Sequence, residues 1–326
     1  MKALVATEFG PSPKMIIEER PAFEPKAGYS IVKMHAATVN PLSNQIRTGL
    51  VPAATAPLVL SNDGSGIVEQ SERFSAGTRV AIYGGGTLGI TEDGLQQQWV
   101  LVADQALVEL PENISLDEGA AMPINYLSAF QAINRVGQMQ PGQTALISGA
   151  SGSVGGALIQ LVAAFGGRPV AVVSSTAKVA RAKAAGAVQV IDLSVDDLRQ
   201  RVLELTAGQG ADIAFDPVGG ALMGQLLSAV KTRGAVVSIG FAGGTEATVD
   251  VMDIVVYEKQ ILGFDAHLET DQDVDVALTS IMQLAAQGLL KPCIDSIYPL
   301  ADYDQAYQHL ISRQAMGTIL LRLSDD

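Results

Sequence analysis

The chain has 326 residues, of which 48% are hydrophobic and 17% charged, with a formal net charge of -13. At roughly 100–200 residues per domain that length suggests two domains. The acidic balance argues against a nucleic acid or an anionic membrane surface as partner, since Lys and Arg must neutralise those phosphates. The single cysteine, Cys293, leaves neither an internal disulfide nor a Cys-rich zinc site.

The opening residues MKALVATEFGPSP contain no long apolar segment before Glu8 and the prolines, and no window reaches about 18 uninterrupted apolar residues. Neither secretion nor a membrane span is expected, and a reducing cytoplasm is the default location. From Met1 to about Asn113, short apolar runs such as MIIEER, YSIVKMHAATV, GSGIVEQ, TRVAIYG and QWVLVA are broken by Gly, Pro and charge. That spacing predicts an irregular antiparallel β-barrel.

From about Thr144 the rhythm changes to alternating strands and helices. TALIS leads into a helix whose apolar positions Val154, Leu158, Leu161, Val162 and Phe165 recur at helical spacing, and Gly166-Gly167 stops it. PVAVV follows as a strand, and Ser175-Thr176 is expected to cap a helix over Ala177 to Ala185, ended by Gly186. VQVID, ADIAF, GAVVSIG and KQILGF read as four more strands, with helical segments near 195–206 and 221–230. Six strands nearly continuous in Val, Ile and Ala fit a doubly wound parallel sheet buried on both faces. From about residue 265 a helical pattern, VDVALTSIMQLAAQG, precedes short strands ending GTILLRL. The two parts are expected to pack around a cleft.

The chemistry is concentrated in SGASGSVGGALIQL, Ser148 to Leu161. Ala150-x-Gly152-x-x-Gly155 follows a strand and opens a helix, the context in which a glycine pattern marks dinucleotide binding. Gly152 is expected to let the backbone approach a pyrophosphate, with Ser151, Ser153 and Val154 around it at the helix start, and Gly155 to allow close helix–sheet packing. The first glycine of the usual pattern is an alanine. At the end of the second strand, where an NAD site carries Asp or Glu, this chain has Ser174-Ser175, with Lys178 and Arg181 in the next turn. That favours the 2′-phosphate of NADP, the alternative being that Lys178, Arg181 and Lys183 are a solvated helix face. The loops Asp216 to Gly220 (DPVGG) and Ser238 to Gly244 (SIGFAGG) fall at carboxyl ends of strands, so Val218, Gly240 and Phe241 are candidate contacts to the nicotinamide half; plain turn chemistry is the other reading.

These motifs in this order, with VNPLSNQIRTG, SNDGSGIVE and AAMPINYLSAFQAI, resemble the medium-chain dehydrogenase/reductases and, within them, the zinc-independent quinone oxidoreductase group. The resemblance implies a GroES-like catalytic domain over 1–120 completed by 265–326, a Rossmann NADP-binding domain over 121–264, and a homodimer. It also implies that the catalytic zinc positions of metal-bearing relatives hold Asn40, Asn62 and Asn125, which are poor ligands beside thiolate and imidazole, so no metal site is expected. His35, His267 and His309 match no ligand spacing. Without a Lewis acid, alcohol oxidation is disfavoured, whereas hydride transfer from NADPH to a quinone or an α,β-unsaturated carbonyl needs less help. Asn40, Asn125, Tyr126 and Ser128 are candidate donors toward the substrate oxygen or the nicotinamide amide; an Asn beside Pro is also a turn former, and Tyr126 is also a packing residue. No general acid is assigned. The chain lacks the acidic residue often found at Ser43 and the Tyr expected shortly after it in 2-enoyl-thioester reductases, and it has Leu193 where NADP-using quinone reductases often carry Tyr. An enoyl-thioester reductase and a low-turnover NADPH-binding sensor or structural protein are the alternative readings.

Overall fold

A computed structural model describes residues 1–324, and they divide into two compact units. The first comprises Met1–Ile124, Thr270–Gly288 and the segment from Pro292 onward; the second comprises Asn125–Glu269 and Leu289–Lys291.

The N-terminal part of the first unit is strand-rich because its apolar residues alternate. β1 (Lys2–Glu8) pairs antiparallel with β2 (Lys14–Glu19). Along β3 (Tyr29–Val39), Ser30, Val32, Met34 and Ala36 are buried while Lys33 between them is exposed, the period of two that a half-buried strand requires. Helix α1 (Pro41–Arg47) follows directly. Asn40 is its N-cap, accepting from the Ser43 N–H, and Pro41 supplies the favoured first-turn residue. β4 (Leu58–Val59) completes the three-stranded sheet β2-β1-β4. β5 (Asp63–Gln70) and β7 (Trp99–Ala103) pair antiparallel with β3, β6 (Arg79–Tyr83) pairs antiparallel with β5, and β8 (Leu107–Glu109) pairs antiparallel with β6. Helix α2 (Leu116–Ala120) starts at a capping box in which Ser115 and Glu118 satisfy each other's backbone N–H groups.

After α3 (Pro123–Gln131), the second unit contains β9 (Thr144–Ile147), α4 (Ser153–Ala164), β10 (Arg168–Val173), α5 (Val179–Ala184), β11 (Gln189–Asp192), α6 (Leu198–Leu205), β12 (Ala211–Asp216), α7 (Leu222–Ala229), β13 (Val230–Ser238), α8 (Val251–Val255) and β14 (Gln260–Gly263). The six strands form one parallel sheet in the order β11-β10-β9-β12-β13-β14. This is the doubly wound arrangement, in which the order reverses between β9 and β12 and a crevice opens at their carboxyl ends. All four β9 residues are buried, as a central strand covered on both faces must be. Leu146, Val172, Ile191, Leu226 and Val236 belong to one apolar cluster that joins strands to helices.

One local expectation fails. The segment after β10 begins as a 3-10 turn over Thr176–Lys178 before α5, and the Ser175 side chain makes no capping hydrogen bond. Thr176 donates instead to Asp192 Oδ2 at 2.5 Å; a charged acceptor outbids the local backbone.

The chain then returns to the first unit with α9 (Asp271–Ala286), β15 (Ile294–Pro299), α10 (Tyr303–Ile311) and β16 (Thr318–Arg322). β16 pairs with β15 in parallel and with β3 antiparallel, so the C-terminal segment extends the sheet built by the N-terminal residues. Tyr307, Ile319 and Leu321 enter the core formed by Val32, Met34 and Ile82.

Candidate functional site

The glycine turn of the second unit closes differently from its motif. The left-handed residue is Gly149, with φ of +55°, one position before the alanine that replaces the first glycine. Ala150 has no need of glycine's freedom; it is buried, and its N–H donates to Val172 O at 3.3 Å. Gly155 is indispensable for packing, since a Cβ there would lie 2.2 Å from Gly149 O. At Gly152 a Cβ would meet only Gly149 O, at 3.3 Å. Gly152 is the N-cap of α4 in an extended conformation with no capping side chain. Ser153 and Val154 form the first turn of α4, and Ser151 is buried beside them. The twelve-residue α4 thus directs its N-terminus, where backbone N–H groups and the helix dipole favour an anion, to the carboxyl edge of the sheet.

Asp216 ties this turn to its neighbours. It is fully buried at the end of β12, and its Oδ1 accepts from Ser148 Oγ at 2.5 Å, from Val218 N at 3.0 Å and from Gly219 N at 3.1 Å. Its carbonyl accepts from the Ile239 and Gly240 N–H groups. One residue therefore joins the loops after β9, β12 and β13, the first two through its carboxylate and the third through its backbone carbonyl. Val218 and Gly240 sit within this set, the Gly243 N–H donates to Val218 O at 2.7 Å, and a Cβ at Gly240 would lie 2.6 Å from Pro217 O. Phe241 is exposed at the rim.

At the end of β10, Lys178 Nζ donates to Ser174 Oγ at 3.2 Å, bringing two of the predicted phosphate contacts together. Ser175 lies between them in extended backbone. The neighbouring Asp192, paired in register with Val173, is satisfied by the Thr176 hydroxyl and by the Ser194 N–H and hydroxyl. Asn125, Tyr126 and Ser128 are buried on α3. The Tyr126 hydroxyl donates to Gln160 Oε1 at 2.8 Å, and that oxygen also accepts from the Lys291 N–H, so Tyr126 has a place in the packing of this unit.

In the first unit Asn40 belongs to a buried polar cluster. Its Oδ1 accepts from Ser43 N at 2.8 Å, while its Nδ2 lies 3.1 Å from Thr38 Oγ1, 3.1 Å from Asn62 Oδ1 and 3.2 Å from Asp63 Oδ1. Thr38 also donates to Asp63 Oδ1. Burial pushes the Asp63 carboxyl up to about 7, against the opposing hydrogen bonds of Thr38, Asn40 and the Ile124 backbone. Every Asn40 group is thus committed inward. Asn62, matched above only to a lost zinc position, retains an Nδ2 with no partner among the described residues. Thr38 and Asp63 were not identified from sequence; the available signal was a carboxylate at the head of a strand followed by Gly64 and Gly66, whose absent side chains let β3 approach.

The three histidines lie apart. His35 meets Asp117 at 2.9 Å, His267 meets Asp265 at 3.2 Å, and His309 sits between Tyr298 and Asp295. Among the described residues no three or more His, Cys, Asp or Glu side chains are grouped to hold a metal ion.

Residues 26–112 match the alcohol dehydrogenase GroES-like domain and residues 153–280 the zinc-binding dehydrogenase family. The chain is 28% identical over 323 residues to quinone oxidoreductase 1 of Escherichia coli, covering 96% of each chain. It superposes on the crystal structure of an NAD-dependent alcohol dehydrogenase with a TM-score of 0.91 and 27% identity, covering 99% of this chain and 100% of that one. It shares the fold of the Escherichia coli quinone oxidoreductase complexed with NADPH, with a TM-score of 0.86 and 24% identity over 99% of this chain and 100% of that one. A GroES-like match followed by a dehydrogenase match, on a doubly wound sheet with its glycine turn at the switch point, leads to one assignment: the chain belongs to the medium-chain dehydrogenase/reductase family, in its quinone oxidoreductase group.

Proposed function

We propose that this protein is an NADPH-dependent reductase that transfers hydride to quinones or α,β-unsaturated carbonyls without zinc. The observation that carries the reading is the set of loops joined by Asp216 beside the α4 N-terminus, with the Ser174–Lys178 pair at the next strand end. The turn from Gly149 to Gly155 leaves room for a pyrophosphate at Gly152, where a Cβ would meet a single atom. Ser151, Ser153 and Val154 surround that position, and Val218, Gly240 and Phe241 are read as contacts to the nicotinamide half. Lys178, Ser174 and Ser175 suit a 2′-phosphate, because a cation and two hydroxyls stand where an NAD site carries a carboxylate. NADPH, when bound, supplies the hydride. The protein's part is to hold it, to exclude water and to present donors to the substrate oxygen; Asn125 and Ser128 are the candidates on α3.

Zinc independence is read from the donors themselves. Asn40 and Asn62 are neutral amides bonded to each other rather than thiolate or imidazole. We read the first unit as the GroES-like catalytic part and Asn125–Glu269 as the NADP-binding part. No helix among the described residues is long and apolar enough to cross a membrane; a cytoplasmic location goes with this reading. A homodimer through β14 is also proposed, since that strand ends the sheet and Val251, Met252, Val255, Val256 and Ile261 on and near it are exposed.

The test follows NADPH absorbance in the presence of 1,4-benzoquinone or 9,10-phenanthrenequinone. Turnover that depends on the protein is expected. Binding of NADPH without turnover on quinones and enones alike would favour a sensor, and turnover confined to enoyl thioesters would move the substrate class.

A further inference from the structure

The turn read as the 2′-phosphate seat has a charged neighbour on the next strand. β10 and β11 pair in parallel with Val173 beside Asp192, so the two Cα atoms stand about 4.8 Å apart, and Ser174 follows directly. The Asp192 carboxylate reaches across the strand end into the turn itself. Thr176, which lies between Ser175 and Lys178, donates to its Oδ2 at 2.5 Å. On the other side Oδ1 accepts from the Ser194 N–H at 3.0 Å and from the Ser194 hydroxyl at 2.7 Å.

Every one of these donors is neutral, and no Lys, Arg or His pairs with Asp192 among the described residues. Lys178 is bonded to Ser174 instead. The hydrogen bonds to Asp192, that of Thr176 foremost, hold its carboxyl below the usual carboxylate range, so the group is ionised at neutral pH. The seat thus combines one cation with one anion that nothing neutralises. A phosphate with close to two negative charges gains from the first and loses to the second.

We infer that Asp192 is a specificity-determining residue of the cofactor site: its fixed negative charge opposes the adenosine 2′-phosphate and limits the preference for NADPH over NADH that Ser174 and Lys178 create. The inference rests on the reading of this turn as the 2′-phosphate seat. Asp192 acts through charge rather than contact, because Thr176 and Ser194 already engage both of its oxygens. A bare 2′-hydroxyl therefore gains and loses little from it, unlike a ribose bound directly by the carboxylate that an NAD site carries at the end of its second strand.

Asp192→Asn removes the charge and keeps the bonds. The amide oxygen can still accept from Ser194, and the NH2 group can donate to the Thr176 hydroxyl, which accepts as well as donates. Calorimetric titration of the purified protein at low salt should show NADPH bound about threefold or more tighter in Asp192→Asn, the size expected when one like charge beside a solvated phosphate is removed. NADH should bind as it does to wild type. The gain should shrink in about 1 M NaCl, where the screening length falls to about 3 Å. Thr176→Val is the control: it releases the turn from Asp192 and leaves the charge in place, so the ratio of the two affinities should not rise. A ratio unmoved by Asp192→Asn, a gain that persists in full at high salt, or an equal gain in Thr176→Val overturns the assignment. Wild type that binds no NADPH brings down the cofactor reading and this inference with it, whereas NADPH binding with an unmoved ratio removes Asp192 alone.

Discussion

Lys178 shows how much one side chain decides. Its ammonium touches Ser174 at the end of β10, so a 2′-phosphate there would meet a cation and a hydroxyl together. Hydrogen bonds to charged groups are worth about 1.5–3 kcal/mol, or roughly one to two decades of affinity. Lys178→Ala should therefore weaken NADPH about tenfold or more while leaving NADH nearly unchanged. Ser174→Asp should go further by repelling the phosphate and accepting from a bare 2′-hydroxyl. The ratio of kcat/KM for the two cofactors in wild type and both variants checks this; equal losses on both cofactors would reduce Lys178 to solvated surface. Asp63 makes a separate residue-scale prediction. Its carboxyl titrates near 7 in the folded chain, raised from 3.8 by burial. Below the unfolded value both states hold the proton and there is no penalty. As pH rises through that value toward 7 the folded chain must give up stability to ionise the group, and above 7 the loss is complete. The difference in denaturation free energy between wild type and Asp63→Asn should thus slope between about pH 4 and 7 and level above, and a flat difference would remove Asp63 as the cause.

At the scale of elements, the turn before α4 separates packing from binding. Gly155 lies against the Gly149 carbonyl, so Gly155→Ala must displace backbone, and overpacking of this kind costs about 1–3 kcal/mol or more. Gly152 has no such crowding; its φ of -88° suits alanine, and the new Cβ would sit 3.3 Å from one oxygen. Gly152→Ala is expected to melt close to wild type while binding NADPH more weakly, because the methyl group stands where a pyrophosphate would approach. Calorimetry and cofactor titration on the two variants distinguish these cases, and an unchanged NADPH affinity in a stable Gly152→Ala protein would argue against this turn as the phosphate seat. Asp216 is the complementary case. Asp216→Ala strands the Ser148 hydroxyl and the Val218 and Gly219 N–H groups. At about 1–3 kcal/mol for each unmet buried donor, the loss should be about 3 kcal/mol or more by urea denaturation. Asp216→Asn keeps one accepting oxygen and should lose less.

For the whole molecule, the acidic chain and its open sheet edge make a statement about assembly. β14 has a free edge, and exposed Val255, Val256 and Ile261 lie on and near it, so a two-fold axis there would continue the parallel sheet into a second copy. Light scattering at micromolar concentration should give a dimer, and Ile261→Arg should shift it toward monomer; a wild-type monomer would sink the proposal. The metal prediction is also global. Elemental analysis should find far less than one zinc per chain, and chelators should leave reductase turnover intact.

How much of this was legible in the sequence depended on whether the information was local. The six strands of the parallel sheet and the helices between them followed from unbroken apolar runs alternating with helical spacing, because a strand buried on both faces must be apolar throughout. The glycine turn was legible for the same reason, as a tight strand-to-helix turn restricts a few consecutive residues. Its details were not: the left-handed residue is Gly149 rather than the motif's first position, and Thr176 turns to Asp192, sixteen residues on, instead of capping the next helix. Residue types together with the family resemblance pointed to Asn40, Asn125, Tyr126 and Ser128 as candidate donors. Only the tertiary structure could show that Asn40 is consumed by Ser43, Thr38, Asn62 and Asp63, that Tyr126 reaches Gln160, and that Asn62 keeps an unmade donor. Periodicity records which face of an element is dry; whether a polar group is free depends on partners brought from distant segments, and those become known only when the chain has folded.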